Sequence, residues 1–466
     1  MGVKRFLNMR ADMSCALWVA ACFFLTSAAY MSWLYRLIAQ AGGPTADLLS
    51  MVAGYTMQAA GLALVCLLLK RHPDGDGLHR LFVASLLLCS ACFALAMTGG
   101  ALAGTIAFGL AMNLFFGMIA GFYLYALAVM PQSDRRGIVF GGGYGAATVA
   151  LGLLALVGSG FMRGDAVPLA YVPFALVLAL MAARLPAPRP PEAADRAAAL
   201  PGKKLALACV AALLLSLVKN LGFGFPAADI ESGLMPELSR LLYAVGLVAA
   251  GFINDKSRKN GAICTATALI IPFVMLGLSG ESVSSFVCWG LDYLFFGFFS
   301  VYRVVLFLDL AAQARRWELA PLGLLFGRLG DAAGTAVCTL FAENKVALIA
   351  VTSVLFMLTI FLFHRLCMWL YAPKVARQKT EREVFESFAM QHDLSAREQE
   401  VLQLLLAKRS NGEIAEALFV SESTVKYHVH NLLQKTGCKS RNDMQKKFAL
   451  ALYPHSDDAP EAKEAD

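Results

Sequence analysis

Residues 421–436 read SESTVKYHVHNLLQKT, and the chain enters them through SNGEIAEALFV at 410–420. At helical spacing Val425, Val429 and Leu432 fall on one apolar face, while Lys426, Tyr427, His430 and Gln434 project from another. Upstream, Asn411 to Leu418 has the pattern of a second short helix, whose Ile414, Ala415 and Leu418 meet that apolar face across the turn Phe419-Val420. Two short helices joined by a tight turn make a helix-turn-helix.

The cap chemistry agrees at every start. Ser395 with Glu398, Ser410 with Glu413 and Ser440 with Asp443 each place a hydroxyl three residues ahead of a carboxylate, the reciprocal capping-box pattern or its aspartate variant. Ser421 opens the longer helix with Thr424 at the third position, and Gly437 is placed to end it. Four helices of about ten residues fit into 394–452.

Along LSAREQEVLQLLLAKRSNGEIAEALFVSESTVKYHVHNLLQKTGCKSR this stretch resembles the LuxR/FixJ-type DNA-binding domain. The likeness runs through Leu394-Ser395, Arg397-Glu398, Glu400-Val401-Leu402, Ser410-Asn411, Glu413-Ile414-Ala415, Val420-Ser421, Thr424-Val425-Lys426, His428, Leu432 and Gly437. The resemblance implies a four-helix module whose third helix enters the major groove of double-stranded DNA. It also implies a fourth helix that commonly dimerises, here with Met444 and Phe448 as the expected surface. On that pattern Lys426, Tyr427 and His430 stand at base-reading positions, with Thr424, Asn431 and Lys435 near phosphates. Charge points the same way. Lysines and arginines at 426, 435, 439, 441, 446 and 447 face only Glu422 and Asp443, the one-sided balance that phosphate neutralisation needs. His428 and His430, two apart on a helix, point away from each other, so no metal is expected there.

Composition sets the frame for the remainder. Of 466 residues, 58% are hydrophobic and only 16% charged, and the mean hydropathy is +0.61. Most of such a chain sits in a lipid bilayer. The 11 cysteines lie mostly inside apolar runs and read as small packing residues rather than a disulfide framework, Cys89-x-x-Cys92 included. The first apolar run, from Met13, is too long for a cleaved signal and lacks a small-residue cleavage site.

Apolar runs occur near 13–35, 48–69, 81–98, 101–130, 138–162, 166–183, 205–225, 238–253, 261–279, 284–310, 318–342 and 346–370. Each approaches the length that crosses a hydrocarbon core of about 30 Å. The expected fold is therefore all-α: a polytopic bundle of about twelve transmembrane helices followed by the small helix-turn-helix domain. If the N-terminus starts inside, 18 positive residues fall in loops on that side and only Arg36, Arg163, Arg240 and Lys345 on the other. Positive residues mark the cytoplasmic side, so both termini are expected there, in a bacterial cytoplasmic membrane.

The two halves look related. Leu114-Phe115-Phe116-Gly117 returns as Leu294-Phe295-Phe296-Gly297, and Arg135-Arg136 as Arg315-Arg316, both displaced by 180 residues. A six-plus-six repeat follows, and Gly251-Phe252-Ile253-Asn254-Asp255-Lys256-Ser257-Arg258-Lys259 is similar to the loop motif of the major facilitator superfamily. The glycines at 141–145 are expected to allow close helix approach. The expected division is 1–184 for the first half, 185–204 for a cytoplasmic linker and 205–370 for the second half. Residues 371–393 then form a connector, 394–452 the helix-turn-helix domain and 453–466 an acidic disordered tail. As a free coil the connector would span on the order of 25 Å, and part of it is expected to be helical or docked.

Ionisable residues within the apolar runs are confined to the second half: Lys219, Asp292, Arg303, Arg328 and Asp331. Buried in lipid, each costs about 2.5–3.5 kcal/mol, so such residues face a cavity or one another. Arg328 and Asp331, three apart, are expected to pair. Lys219 and Arg303 have no sequence neighbour to neutralise them and are expected to meet a carboxylate or other anionic group, in a central small-molecule cavity whose polar contacts come from the second half. No nucleophile–base pair, metal-ligand spacing or phosphate loop points to an enzyme or a cofactor. The reading is a membrane-embedded transcription regulator that senses a small molecule. The alternative is a transporter with a regulatory DNA-binding tail.

Overall fold

A computed structural model describes residues 2–72, 76–129, 134–157, 167–184, 188–190, 199–221, 236–278, 285–371 and 381–452. The chain divides into two compact units, 1–372 and 373–466.

In hydrocarbon a backbone must satisfy its own polar groups, and the apolar runs of the first unit accordingly fold as helices. They are α1 (Gly2–Ala41), α2 (Gly43–Arg71), α3 (Asp76–Thr98), α4 (Leu102–Val129), α5 (Arg136–Val157) and α6 (Val167–Arg184). The second half supplies α7 (Gly202–Leu221), α8 (Pro236–Lys256), α9 (Arg258–Ala268, resumed as Ile270–Leu278), α10 (Ser285–Ala314), α11 (Leu322–Leu340) and α12 (Lys345–Tyr371). Among the described residues, eight of these are long and apolar enough to cross a membrane by length and composition: α1–α5, α7, α10 and α12. Within α2, residues Leu48–Gly54 wind as a π-helix, a wider turn that is frequent at functional sites.

The halves meet where α5 packs on α8 and α2 on α11. Glycine makes the first contact possible. A Cβ on Gly137 would lie 2.6 Å from the Gly251 carbonyl oxygen, one on Gly251 equally close to that of Gly137, and one on Gly141 would clash with that of Leu247. The 180-residue repeat has a structural counterpart. Gly61 of α2 lies over the Leu114 carbonyl of α4, and Gly246 of α8 over that of Leu294 in α10.

Ion pairs tie one end of the bundle together. Asp255, at the end of α8, accepts from the Gly137 and Ile138 amides at the start of α5, at 2.8 and 2.6 Å. Arg136 and Arg258 converge on Asp309 of α10 at 2.9 and 2.7 Å. Arg135 reaches buried Asp12 of α1 at 2.8 Å. The loop motif 251–259 thus joins helices of both halves. Cys89 and Cys92 are free thiols, and the Cys89 sulfur lies 3.7 Å from the Tyr171 hydroxyl.

The second unit contains α13 (Glu381–Gln391), α14 (Ala396–Leu406), α15 (Asn411–Leu418), α16 (Glu422–Thr436) and α17 (Arg441–Leu452). Its core gathers Val401, Leu402, Leu405, Ile414, Val425, Val429 and Leu432. Part of the expected connector is helical, since α13 packs on α17 with Val384, Phe388 and Ala389 buried. This corrects the expected dimer surface. Met444 and Phe448 are buried, at 0% and 5% exposure, and α13 lies over Phe448, with the Phe388 and Phe448 rings 5.5 Å apart. The exposed part of α17 carries Lys446 and Leu450 instead. Residues 372–380 and the acidic tail at 453–466 lie outside the described residues.

Candidate functional site

The helix-turn-helix is held by its caps. Ser395 with Glu398 and Ser410 with Glu413 both form complete capping boxes. Ser421 accepts from the Thr424 amide at 3.2 Å, and Gly437 closes α16 with φ +70. The fourth cap departs from the expected reciprocity. Ser440 accepts from the Asp443 amide, but the shorter aspartate side chain bonds the Lys439 amide at 2.9 Å, one residue upstream of the cap. Between α15 and α16, Phe419 adopts φ +54 and stands 95% exposed, while Arg397 donates to the Leu418 carbonyl at 2.9 Å.

Buried Val425, Val429 and Leu432 fix the rotation of α16, leaving Lys426, Tyr427 and His430 exposed on its other side. Asn431 is half-buried beside them. Thr424 is also half-buried, and its hydroxyl lies 2.8 Å from that of Ser421 in the cap. Lys435 differs from the others. Its ammonium donates to Glu398 at 2.7 Å and to the Asp393 carbonyl at 2.9 Å, so it ties α16 to the start of α14. Burial raises the Glu398 carboxyl, but Lys435 and the Ser395 amide and hydroxyl outweigh it and hold the group below its ordinary range. Exposed Glu413 is pushed down to about 2 by the Ser410 amide and hydroxyl, with Arg409 adding to them.

In the bundle, a central cavity of about 90 Å³ lies between the halves. Four of the five expected ionisable residues line it: Lys219, Arg303, Arg328 and Asp331. Asp292 does not, although it is buried. The cavity stripe of α10 runs through Trp289, Tyr293, Phe296, Ser300 and Arg303, and position 292 lies on its flank, about 60° from the middle of the stripe. Asp331 is the hub: Lys219 lies 2.7 Å away, Arg328 3.6 Å and Arg303 3.9 Å. The expected Arg328–Asp331 pair therefore exists, but Lys219 is the closer partner, and Lys219 and Arg303 are not left without a counter-charge. Arg303 also donates to the Ser216 hydroxyl at 2.5 Å.

Two cavity residues escape a reading by apolar runs. Arg240, assigned to an external loop, lies inside α8, where it donates to the Tyr293 hydroxyl at 3.0 Å and stacks over that ring. Asp47, just outside the second apolar run, is buried at the π-helical turn, so the first half also contributes a carboxylate. The lining thus carries four cations, Lys219, Arg240, Arg303 and Arg328, against Asp47 and Asp331, with Tyr30, Tyr55, Tyr144 and Tyr243 among its aromatic walls.

Residues 392–446 match the family described as bacterial regulatory proteins, luxR family. They are a LuxR-type DNA-binding domain. Over 49 residues the LuxR-type domain is 47% identical to the spore germination protein GerE of Bacillus subtilis, spanning 10% of this chain and 66% of that protein. It is 54% identical over 50 residues to the transcriptional regulatory protein DegU of Brevibacillus brevis, covering 11% of this chain and 21% of that protein. The chain thus spans between about a fifth and two thirds of the length of these curated relatives. The membrane unit has the major-facilitator fold. It is similar to the human organic anion transporter MFSD10, with a TM-score of 0.58 and 16% identity over 76% of this chain and 99% of that one. It is similar also to the Escherichia coli fucose:proton symporter FucP, with a TM-score of 0.55 and 11% identity over 76% of this chain and 98% of that one. The protein is a multi-pass membrane protein that carries a LuxR-type domain on its C-terminal side.

Proposed function

We propose that this is a one-component transcription regulator of a bacterial cytoplasmic membrane, with both termini cytoplasmic, in which a small organic anion bound in the central cavity changes DNA binding by the LuxR-type domain. The observation that carries the reading is the excess of cations over carboxylates in a buried, aromatic-walled cavity of the same chain. Such a site favours an anion with an apolar body: guanidinium groups meet the charge and the rings meet the rest. In the DNA complex Lys426, Tyr427 and His430 read bases in the major groove, with Thr424 and Asn431 near phosphates. A homodimer built on α17 would use its exposed side, with Lys446 and Leu450.

Coupling needs different ligand affinities in two bundle states. A route lies on α10. Arg303 faces the cavity, and its neighbour Tyr302 places its hydroxyl 3.3 Å from that of Tyr371, the last residue of α12 before the chain continues to the DNA-binding unit. A ligand that turns α10 by drawing on Arg303 moves Tyr302 as well.

The deciding experiment maps genome-wide DNA occupancy in cells with and without a panel of small organic anions. The expected result is an anion-dependent change at sites sharing one motif, lost in Arg303→Met. Occupancy indifferent to every anion would overturn the sensing reading. The likeness of the bundle to transporter folds favours a second reading, a transporter with a regulatory tail, and directional uptake of the same anion into proteoliposomes would establish it.

A further inference from the structure

A second pocket, partly open to the outside, lies between α1, α3, α4 and α6 of the first half, with Pro188 of the joining segment at its edge. At about 170 Å³ it is larger than the central one, at about 90 Å³. It is lined by Trp18, Phe82 and Phe122, by Cys15 and Cys22, and by Leu78, and among the described residues no Asp, Glu, Lys or Arg lines it. Ser14 and Tyr123 add hydroxyls to the lining, and two further polar groups at its edge are engaged within the protein. The His79 Nε2 donates to the Ala182 carbonyl at 2.8 Å, and the Tyr125 hydroxyl donates to the Pro188 carbonyl at 3.3 Å.

An apolar cavity of about 150 Å³ stays dry and accepts benzene. The walls here favour a ring. Trp18 and Phe82 meet edge to face at 6.1 Å, Phe82 and Phe122 at 5.6 Å, and the two thiols add polarizable sulfur contacts.

We propose that this cavity binds a neutral, single-ring hydrophobic molecule, at a site separate from the ionised cavity between the halves. Cys22 lines the new site and its neighbour Phe23 the central one, so α1 is a wall of both. Pro188, in the segment that joins the halves, forms part of the floor. An occupant therefore bears on α1 and on that segment together.

The test is ¹⁹F NMR of 4-fluorotoluene with the full-length protein in lipid nanodiscs, referenced to empty nanodiscs. Saturable line broadening beyond that of the empty discs, displaced by toluene, is expected. Cys22→Phe, which fills the cavity, abolishes it, while Val149→Phe on the outer face of α5 preserves it. Should Cys22→Phe fail to fold, Ala126→Leu reads the same loss. Broadening equal to that of empty discs, broadening that survives both filling variants, or displacement by decanoate but not by toluene would overturn the proposal, the last pointing to an acyl chain.

Discussion

Lys219 of α7 and Asp331 of α11 face each other at 2.7 Å in the interior of the bundle, and both line the central cavity. Arg303 and Arg328 lean on the same carboxylate. One anion thus balances three cations, and a second anion arriving in the cavity would share them.

Asp331→Asn removes the shared counter-charge and leaves buried cations facing one another. Breaking such a pair from one side costs about 3–5 kcal/mol, and thermal unfolding of the purified protein should show a large drop, partly recovered by adding Lys219→Met. An unchanged unfolding temperature would mean that the carboxylate is not the hub.

On the DNA-binding domain, Lys426→Ala and Lys435→Ala should part company. Lys426 is exposed and makes its contribution at the groove, so its loss should weaken specific DNA binding by about 1–3 kcal/mol with domain stability unaltered. Lys435 is committed to Glu398 and the Asp393 carbonyl, so its loss should lower the unfolding midpoint, and a double-mutant cycle with Glu398→Gln should return the coupling. Gel-shift titration and chemical denaturation of both variants decide the matter.

Acid sensitivity follows from the caps. Glu413 and Glu398 both have folded-state values depressed below the ordinary 4.5, Glu413 to about 2. For a depressed carboxylate the stabilisation is present above the unfolded value and is lost as pH falls through the folded one. The unfolding midpoint of the 381–452 fragment should therefore be level between neutral pH and the ordinary carboxylate value and fall below it toward pH about 2. In Glu413→Gln the slope should be shallower, measured by circular dichroism. An identical slope in that variant would contradict the assignment.

Tyr371→Phe removes the hydroxyl that meets Tyr302 and touches nothing in the central cavity. Anion affinity is expected to stay within a factor of about two while the change in DNA affinity on anion binding shrinks, since coupling energies are typically about 1–3 kcal/mol. Fluorescence anisotropy of labelled operator, with and without anion, reads this directly. A full response in the variant would reject the α10 route.

The DNA-binding domain was nearly all legible in the sequence, because its determinants are local: apolar periodicity, serine caps and Gly437 lie within a few residues of what they control. Membrane helices were legible for the same reason, through run length. What stayed hidden depends on which segments meet. Asp331 is remote in sequence from Lys219, so no spacing shows that they pair. Arg240 reads as a loop residue because a charge close to the end of an apolar run looks like its boundary, although the helix extends past it. The buried state of Phe448 required knowing that α13 folds back on α17, for which its polar composition gave little warning. Amphipathic spacing of Val384 and Phe388, four apart, was the available sign.

The lid formed by α13 bears on how the domain is cut and grafted. A boundary drawn at residue 392, where the family likeness begins, strips the cover from Phe448 and presents a greasy end to water. A splice within 372–380 keeps helix and cover together, so hybrid sensors that exchange one input bundle for another should be joined there.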